Sequence, residues 1–175
     1  MQIISGVYKN RPIESPNNVH THPMGSREKN ALFNMIAPYL PGATVLDTFA
    51  GSGALGLEAL SRGAKSCVFI EKSPKVAKII EKNISSLGEN VVKNTTILIK
   101  NIENFESDFK FDIVIADPPY DKFNQIKIDY LSDFVSDSGI LVISHPEKSV
   151  VNLPNFELLK SHSYAAARIS VFQKK

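Results

Sequence analysis

Val45-Leu46-Asp47-Thr48-Phe49-Ala50-Gly51-Ser52-Gly53-Ala54-Leu55-Gly56 is an apolar strand that runs through an acid into a glycine-rich turn and out into a helix. The spacing Gly51-x-Gly53-x-x-Gly56 suits a turn whose backbone comes close to a nucleotide-like ligand, with the last glycine letting the helix close on the sheet. Glu71 ends the next apolar run, about 20 residues on, where an acid hydrogen-bonds ribose hydroxyls.

Outward from this stretch the chain alternates. Strands are predicted at 44–49, Ser66–Glu71, 95–100, Phe111–Ala116 and 139–144. Helical patterns occupy 53–62 and Pro74–Leu87, the latter with Val76, Ile79, Ile80 and Ile84 on one face. A short segment, 102–109, separates the third and fourth strands, and a helical stretch at 123–135 precedes the fifth. This order predicts an α/β, Rossmann-like fold: a mostly parallel sheet with helices on both faces and right-handed crossovers. The tail pieces 156–162 and 168–173 have no helix between them and predict an antiparallel hairpin. Ahead of the sheet, Ser26 reads as the N-cap of a helix carrying Ala31, Leu32, Met35 and Ile36, closed by Pro38 and Pro41. Residues 1–24 hold short strand-like pieces, 2–5 and 7–9, predicted to form a small β-hairpin arm about Gly6. The expected organisation is an arm, 1–24, and one catalytic domain, 25–175.

Composition agrees with a single globular unit. The 175 residues are 43% hydrophobic and 22% charged, and no run approaches a membrane span. Met1 to Gly6 has neither the basic start nor the apolar stretch of a secretory signal, so the cytoplasm is the expected location. Cys67 stands alone in an apolar strand pattern and is expected to be buried. A net charge of +2 leaves only a local basic patch, Lys9, Arg11, His20, His22, Arg27 and Lys29 against Glu14 and Glu28. His20 and His22 lack a third ligand nearby, and no metal is expected.

Asp47 discriminates between ligands. A dinucleotide would bring a pyrophosphate to the glycine turn, and a carboxylate there would repel it by about 1–4 kcal/mol. S-adenosylmethionine carries no phosphate but a sulfonium and an ammonium, which an acid favours. A nicotinamide enzyme is the rival, disfavoured by Asp47.

Asp117-Pro118-Pro119-Tyr120 follows the strand Phe111–Ala116, at the edge where open α/β sheets bind ligands. The two prolines remove two backbone donors and fix two φ angles, leaving carbonyl oxygens aimed outward. An exocyclic amine has two N–H donors, and the Asp117 carboxylate and Pro118 carbonyl are placed to accept both. Tyr120 supplies a ring to stack on a planar base. Asp117, Pro118, Pro119 and Tyr120 are therefore the expected catalytic residues.

With both motifs in view, the chain resembles the class I S-adenosylmethionine-dependent methyltransferases, and among them the 16S ribosomal RNA guanine-N2 methyltransferases. The resemblance rests on Ile3 to Arg11, Ala31-Leu32-Phe33-Asn34, the run from Asp47 to Ala64, Phe69-Ile70-Glu71-Lys72, Asn83 and Asp117 to Tyr120. It implies a seven-stranded sheet with an antiparallel last strand. It implies that Asp47, Gly51 and Gly53 line the methionyl end of the cofactor, that Glu71 takes the ribose, and that Asn101 lies near the adenine amine. The whole expected cofactor set is Asp47, Phe49, Ala50, Gly51, Ser52, Gly53, Glu71, Lys72, Asn101, Ile102 and Asp117. Lys9, Arg11, His22, Arg27, Lys29 and Arg168 are the expected RNA contacts. The implied partner is 16S ribosomal RNA within an assembling small subunit, bound by a monomer. His145, before Pro146, is expected to be a satisfied loop histidine.

The chain departs from the family pattern in two places. The family's Arg-Pro-Thr, acid, Arg linker is here His22-Pro23-Met24-Gly25-Ser26-Arg27-Glu28-Lys29-Asn30, and Ala165 follows Tyr164 where glycine is usual. The alternatives are methylation of another RNA or DNA base, and a non-catalytic module for ribosome assembly. Protein glutamine methyltransferases usually show Asn in place of Asp117, which argues against them.

Overall fold

A computed structural model describes residues 1–16, 24–125, 128–164 and 167–175. Along β1 (Thr44–Asp47), Val45 and Leu46 are both fully buried, on opposite faces of a sheet that is covered on both sides. The strands β2 (Ser66–Glu71), β3 (Thr95–Ile99), β4 (Phe111–Ala116) and β5 (Val135–Pro146) continue the parallel part. A hairpin, β6 (Phe156–Tyr164) and β7 (Ala167–Lys174), completes seven strands in the order β3-β2-β1-β4-β5-β7-β6, with β7 antiparallel to both neighbours. The order reverses between β1 and β4, which opens a crevice beyond their carboxyl ends.

The core has two halves because strand side chains alternate. Val45, Phe69, Ile113, Ile115 and Val142 face α1 (Ser26–Met35), α2 (Ala54–Ser61) and α3 (Pro74–Leu87). Leu46, Ile70, Val114, Leu141 and Ile143 face Ile102, Phe105, Phe134 and the short helix α5 (Ile128–Ser132). Cys67 is buried in the first half. The remaining short helix, α4 (Glu89–Lys93), leads into β3.

Several boundaries differ from the sequence expectation. Gly25, not Ser26, is the N-cap of α1, and no side chain caps it. The stretch expected to be a helix at 123–135 divides into a 3-10 segment, Tyr120–Gln125, and α5. The fifth strand runs from Val135 rather than Gly139. Its polar Ser136-Asp137-Ser138 is accommodated by a register shift against β4, with Ser138 at φ 60. The N-terminal arm does reverse about Gly6, where the Lys9 N–H donates to the Gly6 carbonyl at 3.2 Å, but residues 7–9 belong to the turn, and the one antiparallel bridge joins Gln2 to Pro12.

The first 16 residues lie against the helical layer. Ile3 and Ile13 are buried in its core, and the Gly6 backbone closes on Ser61 so tightly that a Cβ there would lie 1.8 Å from the Ser61 carbonyl oxygen. Glu58, fully buried on α2, holds the arrangement. It accepts the N–H groups of Ile4 at 2.8 Å and Ser5 at 3.0 Å, and pairs with Lys29 at 3.5 Å and Arg62 at 2.8 Å.

Candidate active site

The glycine turn joins β1 to α2. Gly51 and Gly53 hold φ of 53 and 79, in the left-handed region that glycine enters without strain, and a Cβ on Gly53 would lie 3.1 Å from Ile80. Gly56 lets α2 approach β2: its Cβ would sit 2.3 Å from Phe69 and 2.6 Å from the Cys67 sulfur.

Asp47, at the end of β1, is buried to 1% exposure. Its Oδ2 accepts the Gly56 N–H at 3.0 Å, while Oδ1 has no partner among the described residues. Burial pushes this carboxyl up to about 7. The Gly56 and Phe49 N–H groups oppose the shift, and the charges of Asp117 and Glu71 add to it. A buried carboxylate oxygen without a partner is unfavourable unless a cation arrives, and the methionyl ammonium of S-adenosylmethionine fits that requirement.

Glu71 ends β2 and turns toward the glycine loop. One oxygen accepts the Gly51 N–H at 3.0 Å and the other the Ser73 N–H at 2.8 Å. An ionised carboxylate has about four acceptor positions, so capacity remains for a ribose hydroxyl. Phe49 is half-buried, Ala50 and Ser52 are buried, and Lys72 is exposed. Asn101 is exposed at the start of a 3-10 turn (Ile102–Asn104), and its amide nitrogen donates to Glu103 at 3.2 Å, while Ile102 is buried beneath it.

Across the crevice, Asp117 follows β4. The Asp117 residue keeps some exposure, yet burial of its carboxyl pushes it up to about 6, opposed by the Ser144 hydroxyl. Pro118 is buried and Pro119 exposed. The Tyr120 ring is 44% exposed, and its hydroxyl hydrogen-bonds Ser144 at 2.8 Å. Burial, Asp117 and Glu28 all raise the Tyr120 hydroxyl, against Ser144. Thr48 ties the two halves together, donating to the Ile115 carbonyl from its N–H at 3.0 Å and its hydroxyl at 2.9 Å. His145 is a buried structural histidine. Its Nδ1 donates to the Pro146 carbonyl at 3.0 Å, so Nε2 accepts from Ser170 at 2.9 Å, and its ring stacks on Phe123.

The basic residues separate. Lys9 and Arg27 are exposed, and the exposed Arg11 guanidinium donates to the Ser86 carbonyl. Arg168 is half-buried, with Nε donating to Ser163 at 3.3 Å. Lys29 does not belong with them. It is 3% exposed, its ammonium donates to the Gln2 carbonyl at 3.0 Å beside Glu58, and burial lowers its pKa against the opposing pull of Glu58. It is a structural cation, unavailable to RNA. His20, His22, Pro23 and Ala165 lie outside the described residues.

Two residues of the site are given no role by the sequence, although Asn83 is among those that carry the family resemblance. Ser144 is one, an ordinary strand serine until β4 and β5 are set side by side. Asn83 is the other in structural terms: its amide nitrogen donates to the carbonyls of Ser52 and Glu14, both at 2.9 Å, and its oxygen accepts the Glu14 N–H at 2.8 Å. The N-terminal segment is thereby fastened to the glycine loop.

The profile of the family described as Conserved hypothetical protein 95 matches residues 1–173. The chain is also 30% identical over 184 residues to the ribosomal RNA small subunit methyltransferase D of Haemophilus influenzae, covering 99% of this chain and 93% of that one. The chain belongs to this methyltransferase family. The Escherichia coli ribosomal RNA small subunit methyltransferase D is 36% identical over 122 residues, 69% of this chain and 60% of its own length. Among solved structures, the Escherichia coli methyltransferase yhhF superposes with a TM-score of 0.87 at 29% identity, covering 100% of this chain and 98% of that one. The antiparallel seventh strand implied by the family resemblance is present.

Proposed function

We propose that the protein transfers a methyl group from S-adenosylmethionine to the exocyclic N2 amine of a guanine in 16S ribosomal RNA. The observation that carries this reading is the pair of acids flanking the reversal of strand order: Asp47, buried, with one carboxylate oxygen unpartnered among the described residues, and Asp117, half-buried at the head of a loop stiffened by two prolines.

S-adenosylmethionine supplies a methyl carbon made electrophilic by a positive sulfur. Asp47 would take the methionyl ammonium, Glu71 the ribose hydroxyls, and Asn101 with Ile102 the adenine. Asp117 and the Pro118 carbonyl would accept the two N–H bonds of the target amine and aim its lone pair at the methyl carbon. As nitrogen forms that bond it becomes positive, and the Asp117 carboxylate stabilises the charge and receives the proton that leaves. Most of the acceleration comes from alignment, since the sulfur is already a good leaving group.

Guanine as the base follows from the family resemblance, because the acceptor pair fits any exocyclic amine. The names of the relatives support ribosomal RNA of the small subunit as substrate. A base must leave its stack to reach the crevice, which favours a loop nucleotide, and the Tyr120 ring offers it a replacement surface. Lys9, Arg27 and Arg168 would meet the phosphates of an assembling subunit, with the protein acting as a monomer in the cytoplasm.

Replacing Asp117 tests the assignment. Asp117→Ala is expected to abolish methyl transfer while the dissociation constant for S-adenosylhomocysteine stays within a few-fold of the unaltered protein. Retained transfer, or equal loss of transfer and binding, overturns the role given to Asp117.

A further inference from the structure

We infer that Asn83 is a positioning residue through which docking of the N-terminal arm and binding of cofactor at the glycine turn favour each other. The inference deepens the reading above and rests on its placement of S-adenosylmethionine at that turn.

Asn83 stands on α3, 3% exposed, between two segments far apart in the chain. Its Nδ2 donates to the Ser52 carbonyl of the turn and to the Glu14 carbonyl of the arm, both at 2.9 Å. Its Oδ1 accepts the Glu14 N–H at 2.8 Å. A primary amide has two N–H bonds, so the turn takes one and the arm the other. The flipped amide would set its oxygen against two carbonyls, which fixes the orientation. Met1 adds a second contact from the arm to the same residue, its sulfur 3.8 Å from the Ser52 hydroxyl.

The turn needs such a hold. Ser52 is 7% exposed and lies between Gly51 and Gly53, whose φ angles are 53 and 79. Glycine enters that region without strain, and it leaves as readily. The Gly53 N–H bonds the Ala50 carbonyl at 2.7 Å and the Gly51 N–H bonds Glu71, while the Ser52 carbonyl depends on Asn83. A ligand that packs along the turn binds best when the turn already has its bound shape.

The arm is built on contacts of its own. The Ile3 N–H donates to Arg11 at 3.0 Å, the Asn10 N–H to Ile3 at 2.9 Å and the Ile13 N–H to Met1 at 2.9 Å. It meets the rest of the chain at Glu58 and Ser61 of α2 and at Asn83 and Ser86 of α3. Of these, Asn83 also holds the turn. When the arm leaves, Asn83 loses two of its three hydrogen bonds, and nothing in the arm then fixes its rotamer toward Ser52. The docked protein therefore presents the more ordered turn, and cofactor favours the docked state. By linkage the docked arm favours cofactor by the same factor.

Hydrogen exchange of the arm, with and without saturating S-adenosylhomocysteine, reads the coupling. In the unaltered protein the Ile3, Ile13 and Glu14 amides should exchange faster than those of β1, since the arm can detach while the sheet stays folded. The ligand should slow them about tenfold. Asn83→Ala should bind the ligand more weakly by a similar factor, and its arm amides, faster throughout, should no longer respond to it. A residue that only stabilised the fold would lower protection and leave the response intact. That result overturns the inference, as does an arm in the unaltered protein that exchanges equally with and without ligand.

Gly6→Ala dislodges the arm at its far end, because the added Cβ would lie 1.8 Å from the Ser61 carbonyl oxygen, roughly 12 Å along α2 from the turn. It keeps the proposal testable should Asn83→Ala not fold. Faster arm exchange with weaker ligand binding is expected, and faster arm exchange with full affinity overturns the coupling. Bound ligand that leaves exchange at Gly51 and Gly53 unchanged overturns instead the placement of cofactor at the turn.

Discussion

Asp47 Oδ2 accepts the N–H of Gly56 at 3.0 Å, which pins the buried acid at the end of β1 to the first turn of α2. The hydrogen bond fixes one oxygen, and the other is buried without a partner among the described residues. A local feature of the sequence, an acid four residues ahead of a glycine turn, thus becomes a buried carboxyl, sheltered from water, that a cation would hold ionised.

Cofactor binding should accordingly depend on pH. In the ligand-free protein, the Asp47 carboxyl at about 7 lies above its ordinary value near 4, so the folded state holds this proton more tightly than the unfolded chain. Its contribution to stability is whole below about pH 4 and is lost as pH rises through about 7, a change of about 4 kcal/mol in all. A bound ammonium favours the carboxylate and reverses the preference. The rise in thermal midpoint caused by saturating S-adenosylhomocysteine should therefore be larger at pH 8 than at pH 6. Asp47→Asn should weaken binding at least about tenfold, one lost charged hydrogen bond, and flatten most of that difference. Equal increments at both pH values in the unaltered protein contradict the role given to Asp47.

Glu58 should be among the residues most damaging to lose. Glu58→Ala strands Lys29 in the core and leaves the Ile4 and Ser5 N–H groups without an acceptor, which costs about 3–5 kcal/mol. Urea unfolding reads this as a lower midpoint, and Glu58→Gln, which keeps an acceptor, should lose less. A loss below about 1 kcal/mol for Glu58→Ala would mean that the buried cluster contributes little.

Gly56→Ala sets two effects against each other. Alanine is the better helix former by about 1 kcal/mol. Its methyl group, however, would meet Phe69 at 2.3 Å and the Cys67 sulfur at 2.6 Å, and relieving such contacts in a packed core costs about 1–3 kcal/mol or more. The clash should win, lowering the thermal midpoint and, because the Gly56 N–H orients Asp47, weakening S-adenosylhomocysteine as well. A midpoint above that of the unaltered protein would show that α2 can slide off β2 freely.

Where the chain marks its own boundaries, the sequence reading and the structure agree. Ser73 before Pro74 supplies both a cap and a fixed φ, and α3 begins there, with the Val76 N–H bonded to the Ser73 hydroxyl at 3.4 Å. The runs Ser66–Glu71 and Phe111–Ala116 are strands over their full predicted lengths, since each is apolar and ends in an acid or a proline motif. The readings that failed depend on partners distant in the chain. Lys29 looked like surface charge because its counter-ion, Glu58, stands on another helix. The sequence puts Val135 at the end of a helical stretch and begins the strand at Gly139, because the strand character of Val135 to Ser138 comes from β4, which absorbs the polar residues at a bulge. Ser144 carries no local mark at all: only the alignment of β4 with β5 brings it to the Tyr120 hydroxyl. The glycine turn and the Asp-Pro-Pro-Tyr loop were legible because each concentrates its chemistry within a few consecutive residues.

The most direct test of the proposed reaction is nucleoside analysis after transfer. Small ribosomal subunits from a strain lacking this enzyme are incubated with the purified protein and tritiated S-adenosylmethionine, and their RNA is digested and separated. Label in N2-methylguanosine of 16S RNA is the predicted result. Label in a different nucleoside, or none on subunits while S-adenosylhomocysteine still binds, contradicts the assignment of guanine N2 as the target.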